Sequence, residues 1–404
     1  MASWVYSVAG LYRLTVFSGG SGFNDASSRL SRQPQISVGF VLPVTDDGGS
    51  SEEIRTKLGV PVGIGDIRSR LLKVAPEDSL EEKAIKALLQ YRLPGGATEA
   101  RDEWERVLDG SHGLWDGVSK PYMDTARAFL IKFQESVLLR APRTFDFACG
   151  SVGNFFLIGA LLNLGSLDAS ILITGSLLRV RPEIAVIPAV DSASQLTLGA
   201  QLQNGDLLIG QTQISHPGLQ NPRVVDKENA GMRTLPSPVV RVFYLNQDLQ
   251  ETRPAANPRV LNHLRKSDKI VYAMGSLYSS IVPSLILTGV GEEIAQKDCP
   301  KILILNADHD RETHGMNALA FIAAIRNALN RYGTLNFQVS DYVNALVVME
   351  GTTIPIDEDE LRKMGIDVIH CHADFKQRKY NVIELVEALV SFKEIKKDLL
   401  HPAL

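Results

Sequence analysis

The chain has 404 residues, a formal net charge of -4, 45% hydrophobic and 22% charged side chains, a globular balance long enough for one large α/β domain or two smaller ones. Three widely spaced cysteines, Cys149, Cys299 and Cys371, form no CxxC pair, which argues against a disulfide framework or structural zinc and for a reducing compartment. No basic run beyond the C-terminal KEIKKD supports nucleic-acid binding, and the apolar start MASWVYSVAGLYRLTVFSGG lacks an early basic region, so no signal peptide or membrane span is expected and a cytoplasmic location is.

In chain order, RLTVFSGGSG reads as a buried strand ending in glycines, and ISVGFVLPV as a second strand that delivers the turn DDGGSS. Ser50 with Glu53 has capping-box spacing for a helix SEEIRTKLG, and Ser79 with Glu82 repeats it ahead of LEEKAIKALLQY. Between them, VGIGDIRSRLL is a glycine loop opening a helix. Residues 92–147 read as a helical insertion. SVGNFFLIGALLNLG follows as an apolar helix, then a β excursion over 184–245 whose LTLGAQLQNGDLLIGQTQI forms two strand-like runs about Asn204-Gly205. Strand-helix alternation resumes with DKIVYAMGSLYSS, CPKILILNADHDRETHG, NALAFIAAIRNALN, NALVVME and GIDVIHCH, and closes on the helix NVIELVEALVSF. Strand, polar loop and helix in that order predict a Rossmann-like, mostly parallel sheet with helices on both faces, in a single domain spanning 1–404.

Ligands of open α/β sheets sit at the carboxyl ends of the strands. Gly19, Gly20, Ser21 and Gly22 can bring backbone N–H groups close to a phosphate, although a plain tight turn explains GGSG as well. Asp46 and Asp47 suit Mg²⁺, which takes oxygen ligands, better than they suit packing. Gly48 and Gly49 free the backbone, and Ser50 and Ser51 offer hydroxyls at a helix start. Asp66 in GIGDIR is the third carboxylate, with Arg68 as a phosphate clamp. Ser151 and Asn154 open the apolar helix, and Gly275, Ser276 and Tyr278 follow a strand as hydrogen-bonding groups. His370 and His372 share a strand face without an evident third ligand. NADHDRETHG lacks a nucleophile elbow, so a hydrolase triad is not supported.

Taken together, FSGGSG, VTDDGGSSEEIR, GIGDIRSRL, GSVGNFFLIGAL, VIPAV, LQNGDLLIGQTQISHP, MGSLYSSIVPSLIL and RETHGM resemble, in content and order, the CofD/YvcK family over about residues 14–390. The chain looks most like the YvcK side, within it the uncharacterised eukaryotic, fungal-type members. The resemblance implies a Rossmann-like fold whose strand-end loops hold a nucleotide or nucleotide-sugar. It also implies either a Mg²⁺-dependent transferase acting on a nucleotide-activated phospho-carboxylate donor, as in CofD-type members, or a non-catalytic regulator of carbon metabolism or cell-wall synthesis that binds UDP-sugars, as in YvcK-type members. Asp46, Asp47 and Asp66 match the acidic positions; Gly19 to Gly22, Asn154 and Ser276 match the nucleotide-side loops. Two departures stand out: GGSG replaces a GGTG-like form, and residues 23–35 are short and weakly periodic for the first crossover helix, which puts the first β-α-β unit in question.

Two further readings compete. Trp104, Trp115 and Tyr122 make the insertion a candidate docking surface for a protein partner. Asp46 and Asp47, about 20 residues beyond Gly22, keep an NAD-dependent dehydrogenase open despite the missing GxGxxG. A homo-oligomer is open on this sequence.

Overall fold

The computed structural model describes residues 11–141, 144–191, 195–217, 234–374 and 378–392. The apolar start at 1–10 and KEIKKD at 393–398 lie outside them. Seven strands form one parallel sheet: β1 (Tyr12–Phe17), β2 (Ile36–Leu42), β3 (Ile184–Pro188), then β8 (Lys269–Tyr272), β9 (Lys301–Ile304), β10 (Ala345–Met349) and β11 (Asp367–Cys371), in the spatial order β11-β10-β9-β8-β1-β2-β3. The strands read as continuous apolar runs because both faces are covered. Leu14, Val16, Val38, Phe40, Ile302 and Val347 pack on one face, and Phe17, Val41, Tyr272, Leu303 and Val348 on the other. From β1 the chain steps outward to β2 and β3, then returns beside β1 with β8 and steps the other way. The order therefore reverses between β1 and β8, and a crevice opens there at the strands' carboxyl ends.

Helix α1 (Asn24–Ser31) joins β1 to β2, so the first β-α-β unit is intact, against the expectation from its weak periodicity. Its buried face carries small polar side chains, with Ser27 Oγ donating to Asn24 O at 2.7 Å and Ser31 Oγ to Ser28 O at 2.8 Å. Hydroxyls satisfied by the helix backbone can be buried at little cost, which hides the helix from an apolar-period search. After β2 come α2 (Gly49–Leu58), α3 (Gly65–Val74) and α4 (Leu80–Gln90). The Ser79/Glu82 capping box forms, whereas Ser50 does not cap: Gly48 is the N-cap of α2, and the helix already includes Ser50. Asp46 takes over the turn by accepting from Gly48 N and from Ser51 Oγ.

The insertion is helical, with α5 (Ala97–Asp109) and α6 (Lys120–Arg140) before α7 (Val152–Leu164) and α8 (Leu167–Leu177). Its tryptophans are core side chains rather than exposed anchors. Trp104 is 1% exposed and packs on Phe133, Phe147 and Phe155, Trp115 is buried, and Arg179 lies over the Tyr122 ring. A Cβ on Gly159 would stand 1.8 Å from Phe129 O, so glycine there lets α6 and α7 approach closely.

The β excursion begins later than expected, because Ile184–Pro188 is the edge strand β3. β4 (Thr197–Leu202), β5 (Leu207–Ile209), β6 (Val239–Leu245) and β7 (Glu251–Thr252) make a separate antiparallel sheet, with Gly205 at φ +93 in the hairpin turn. GQTQI is not strand but the short helix α9 (Gln211–Ser215). Residues 192–194 and 218–233 of the excursion lie outside the described set. The second half adds α10 (Pro258–Arg265), α11 (Val282–Leu285), α12 (Val290–Ala295), α13 (Ala318–Leu329), α14 (Glu358–Lys363), the two-residue pairing of β12 (Ala373–Asp374) with β13 (Lys379–Tyr380), and α15 (Val382–Ser391). Among the described residues no helix is long and apolar enough to cross a membrane.

Lys269 on the central strand β8 is fully buried, and its ammonium donates to Val390 O at 3.3 Å and Phe392 O at 2.7 Å at the end of α15. A cation there satisfies the orphan carbonyls of a helix C-terminus. Lys269→Met keeps the side-chain volume and removes the donor, so it should lower stability by about 2 kcal/mol in denaturant melts. An unchanged midpoint would contradict this tether.

Candidate functional site

Two cavities meet where the strand order reverses. One, about 490 Å³, is lined by Gly20, Ser21, Asp46, Gly48 to Ser51, Asp66, Arg68, Arg92, Asn154, His216 and Ser276 among others. The other, about 640 Å³, extends past Gly19 to Gly22, Lys73, Gly275, Asn306, Asp308 and Glu312. Gly20, Ser21, Ser215, His216, Ser276 and Ser280 belong to both, so the glycine loop after β1 and the serine turn after β8 form the shared wall.

Close backbone packing builds the acidic corner. A Cβ on Gly63 would stand 2.1 Å from Asp46 O, and one on Gly65 2.3 Å from Asp46 Oδ2; only glycine lets the GIGDIR turn lie against the DDGG turn. Asp66, in the first turn of α3, accepts from Gly20 N at 2.9 Å and so ties the glycine loop to this corner. Ser51 Oγ donates to Asp46 Oδ2 at 2.8 Å and Gly48 N to Oδ1 at 3.2 Å. Burial and the neighbouring Asp66 push Asp46 up to about 6 despite those hydrogen bonds, the signature of two carboxylates crowded into one site. Beneath the loop, buried Arg70 donates to Phe23 O at 3.1 Å and Ser18 Oγ at 3.3 Å and rests on the Phe40 ring. Burial lowers it to about 10 while Asp66 works the other way.

The helix starts of α2 and α7 converge on the same cavity. Asn154 Nδ2 donates to Ser50 Oγ at 2.9 Å, and Asn154 Oδ1 is buried without a donor. Ser151 caps α7 by accepting from Asn154 N, and it accepts Arg68 Nη1 at 2.5 Å. On the opposite wall Gly275, at φ +151, exchanges hydrogen bonds with the Asn306 side chain, N to Oδ1 at 3.0 Å and Nδ2 to O at 2.9 Å. Glu312 accepts from Tyr278 N at 2.8 Å and Ser279 N at 3.0 Å, and from Ser279 Oγ, which fixes the turn that presents Ser276 and Ser280. Burial, and then Asp310, push the Glu312 carboxyl above its ordinary range.

The crevice thus gathers Gly19 to Gly22, Asp46, Gly48 to Ser51, Asp66, Arg68, Asn154, Gly275 and Ser276. Three expected residues are placed elsewhere. Asp47 turns away and accepts from Gln211 N at 2.9 Å, Thr212 N at 2.8 Å and Thr212 Oγ1 at 2.6 Å, so it fastens α9 instead of joining Asp46. Ser151 is buried behind Arg68. Tyr278 is also buried, its hydroxyl 3.9 Å from Met316 Sδ. His370 and His372 pair with Glu358 and Glu384 at the exposed sheet edge, and among the described residues no group of three or more His, Cys, Asp or Glu side chains is placed to hold a metal. Arg70, Arg92, Ser280, Asn306 and Glu312 escaped the sequence reading. Arg70 had a signal, since it lies four residues after Asp66 on one helix face.

Asp46 carries a charge that the folded chain disfavours. Its raised folded value means stability is greatest below the unfolded carboxylate range near 4 and is lost as pH rises through about 6. Asp46→Asn should therefore stabilise the ligand-free protein at pH 8 by about 1 kcal/mol, discounted because Asp46 borders the open cavity, and the gain should vanish at pH 4. Equal melting points at pH 8 would contradict the crowding of Asp46 by Asp66.

The family model for 2-phospho-L-lactate transferase CofD matches residues 14–385. An uncharacterized protein of Saccharomyces cerevisiae is 30% identical, covering 93% of this chain and 98% of its own. The gluconeogenesis factors of Halalkalibacterium halodurans and Bacillus subtilis are 24% and 23% identical, over 94% and 88% of this chain and 96% and 89% of theirs. A crystal structure of a UPF0052-family protein from Bacillus halodurans superposes with a TM-score of 0.66 at 21% identity, over 95% of this chain and all of the other, and so shares the fold. With a family model matched over nearly its whole length and a relative aligned end to end, the chain belongs to the CofD family.

Proposed function

We propose that the crevice binds a nucleotide through its diphosphate, with Mg²⁺ held by Asp46 and Asp66. The observation that carries this reading is the meeting of the glycine loop, the start of α2 and the two carboxylates at the reversal between β1 and β8. Backbone N–H groups at the loop and helix start favour phosphate oxygens. Asp46 and Asp66 alone would repel them. Two carboxylates fit Mg²⁺, which commonly takes one or two from protein and completes its shell with phosphate and water; bound there, it would neutralise diphosphate charge. Asp47, spent on α9, is not part of this set.

A second reading, group transfer from that nucleotide to an acceptor, draws on the adjoining 640 Å³ cavity, which opens across the shared wall of Ser276 and Ser280. It agrees with the transferase named by the matching family model. In either reading the protein's own part is positional: Asp66 anchors Gly20, Glu312 anchors the Ser276 to Ser280 turn, and the phosphates lie between two fixed edges.

The test is calorimetric titration with a panel of nucleoside diphosphates, with Mg²⁺ and with EDTA. Binding should weaken at least tenfold on chelation, and Asp66→Asn should weaken the Mg²⁺-dependent binding at least tenfold, about 1.4 kcal/mol. Affinity indifferent to EDTA would remove the metal, and no binding across the panel would remove the nucleotide.

A further inference from the structure

Glu312 and Ser279 form a hydrogen-bonded pair that spans the wall between the two cavities. Both side chains are buried, and Glu312 borders the cavity of about 640 Å³ while Ser279 borders the one of about 490 Å³. The two carboxyl oxygens have different tasks: Oε2 accepts from Tyr278 N and Ser279 N, and Oε1 accepts from Ser279 Oγ. These donors belong to a π-helical turn, Leu277–Ile281, a winding that is rare in general and frequent at functional sites. Asp310 is fixed beside Glu312, accepting from Glu312 N at 3.0 Å and from Thr313 Oγ1 at 2.7 Å.

A protonated carboxyl keeps one oxygen as an acceptor and turns the other into a donor. With its proton on Oε1, Glu312 would still hold both N–H groups through Oε2, while the hydrogen bond with Ser279 Oγ reverses. The turn therefore keeps its place in both charge states. Burial first, and then Asp310, favour the proton on Glu312, whereas the hydrogen bonds from Ser279 and Tyr278 oppose it. The charged groups of its own loop are Asp308, Asp310 and Arg311; Asp25 of α1, Lys73 of α3, His216 after α9, and Arg378 and Lys379 at β13 border the same cavity. Burial, and then Glu312, raise Tyr278 to about 12, so that phenol stays neutral. A buried carboxyl of shifted proton affinity in the wall of a cleft is the mark of a functional group.

A diphosphate in the crevice brings negative charge to the Ser279 side of this wall, and a nearby anion draws a proton onto a carboxylate. We infer that Glu312 takes up a proton from solvent onto Oε1 when an anionic ligand fills the crevice and returns it when the ligand leaves, with the Ser279 hydroxyl as the hydrogen-bonded link. The inference rests on the proposed function only for the identity of the anion. Binding is then linked to protons: affinity falls as pH rises through the range in which the ligand-bound protein gives up the Glu312 proton.

The probes are ADP, GDP, UDP and CDP with Mg²⁺, titrated calorimetrically into the full-length protein in PIPES, HEPES and Tris. The dependence of the observed heat on buffer ionisation enthalpy gives the protons taken up. A pH of about 7.5 keeps the measurement above the value of about 6 at which Asp46 titrates. The wild type should take up about 0.3 proton or more per bound diphosphate, and Glu312→Gln, which keeps an oxygen for Tyr278 N and Ser279 N, less than about a third of that. Ser279→Ala removes a hydrogen bond that favours the carboxylate, so its uptake should move to higher pH, a shift that a merely structural contact would not produce. Heats independent of buffer in the wild type, equal uptake in Glu312→Gln, or an unmoved profile in Ser279→Ala would overturn the inference. If none of the four diphosphates binds, the proposed function fails, and inorganic pyrophosphate takes their place as the anion: uptake that Glu312→Gln abolishes supports the inference by itself, and absence of uptake or of binding overturns it.

Discussion

The contact on which the rest of the site depends is that of Gly63 with the backbone of Asp46, where any side chain would drive the two turns apart. It sets the start of α3 against the end of β2 and so brings Asp66 beside Asp46. Asp66 in turn fixes the glycine loop through Gly20 N. The loop after β1, the turn after β2 and the turn between α2 and α3 are locked by that one close approach and one hydrogen bond, and the crevice between β1 and β8 takes its shape from them. The folded chain retains a crowded carboxylate pair as a consequence, an arrangement that burial alone would not select.

The crevice is electrically uneven. One side carries the Asp46 and Asp66 carboxylates, the other the Arg68 and Arg92 guanidinium groups, and between them lie two helix starts and a glycine loop. Polarity of this kind orients a ligand before any chemistry, because reversing it would place like charges together. Membership of the CofD family accounts for the fold and the shared motifs. The fold alone does not specify a reaction, which lies in the particular side chains that border the two cavities.

Much of this was legible in the chain. The continuous apolar strands announced a sheet buried on both faces, DDGGSS announced a strand-end loop, and GIGDIR a glycine loop opening a helix. What failed were inferences that treated neighbours in sequence as neighbours in function. Asp46 and Asp47 are adjacent, yet a turn at the end of β2 sends them in different directions, one into the crevice and one to the start of α9. Helix α1 was hidden because serines whose hydroxyls bond to the helix backbone replace the apolar residues that a period search counts. Trp104 and Trp115 looked like an exposed anchor because the charges around them are visible in sequence, whereas the phenylalanines that bury Trp104 come partly from beyond the insertion. Glu312 and Arg92 belong to the site only through long-range pairing that no local pattern records.

The measurement that bears most directly on the central claim is electron paramagnetic resonance of Mn²⁺, used in place of Mg²⁺, with phosphorus hyperfine detection. The account predicts a protein-bound Mn²⁺ signal that appears when protein and a nucleoside diphosphate are both present and that carries coupling to the diphosphate phosphorus. A signal that stays that of the free aquo ion, or bound Mn²⁺ without phosphorus coupling, would contradict it.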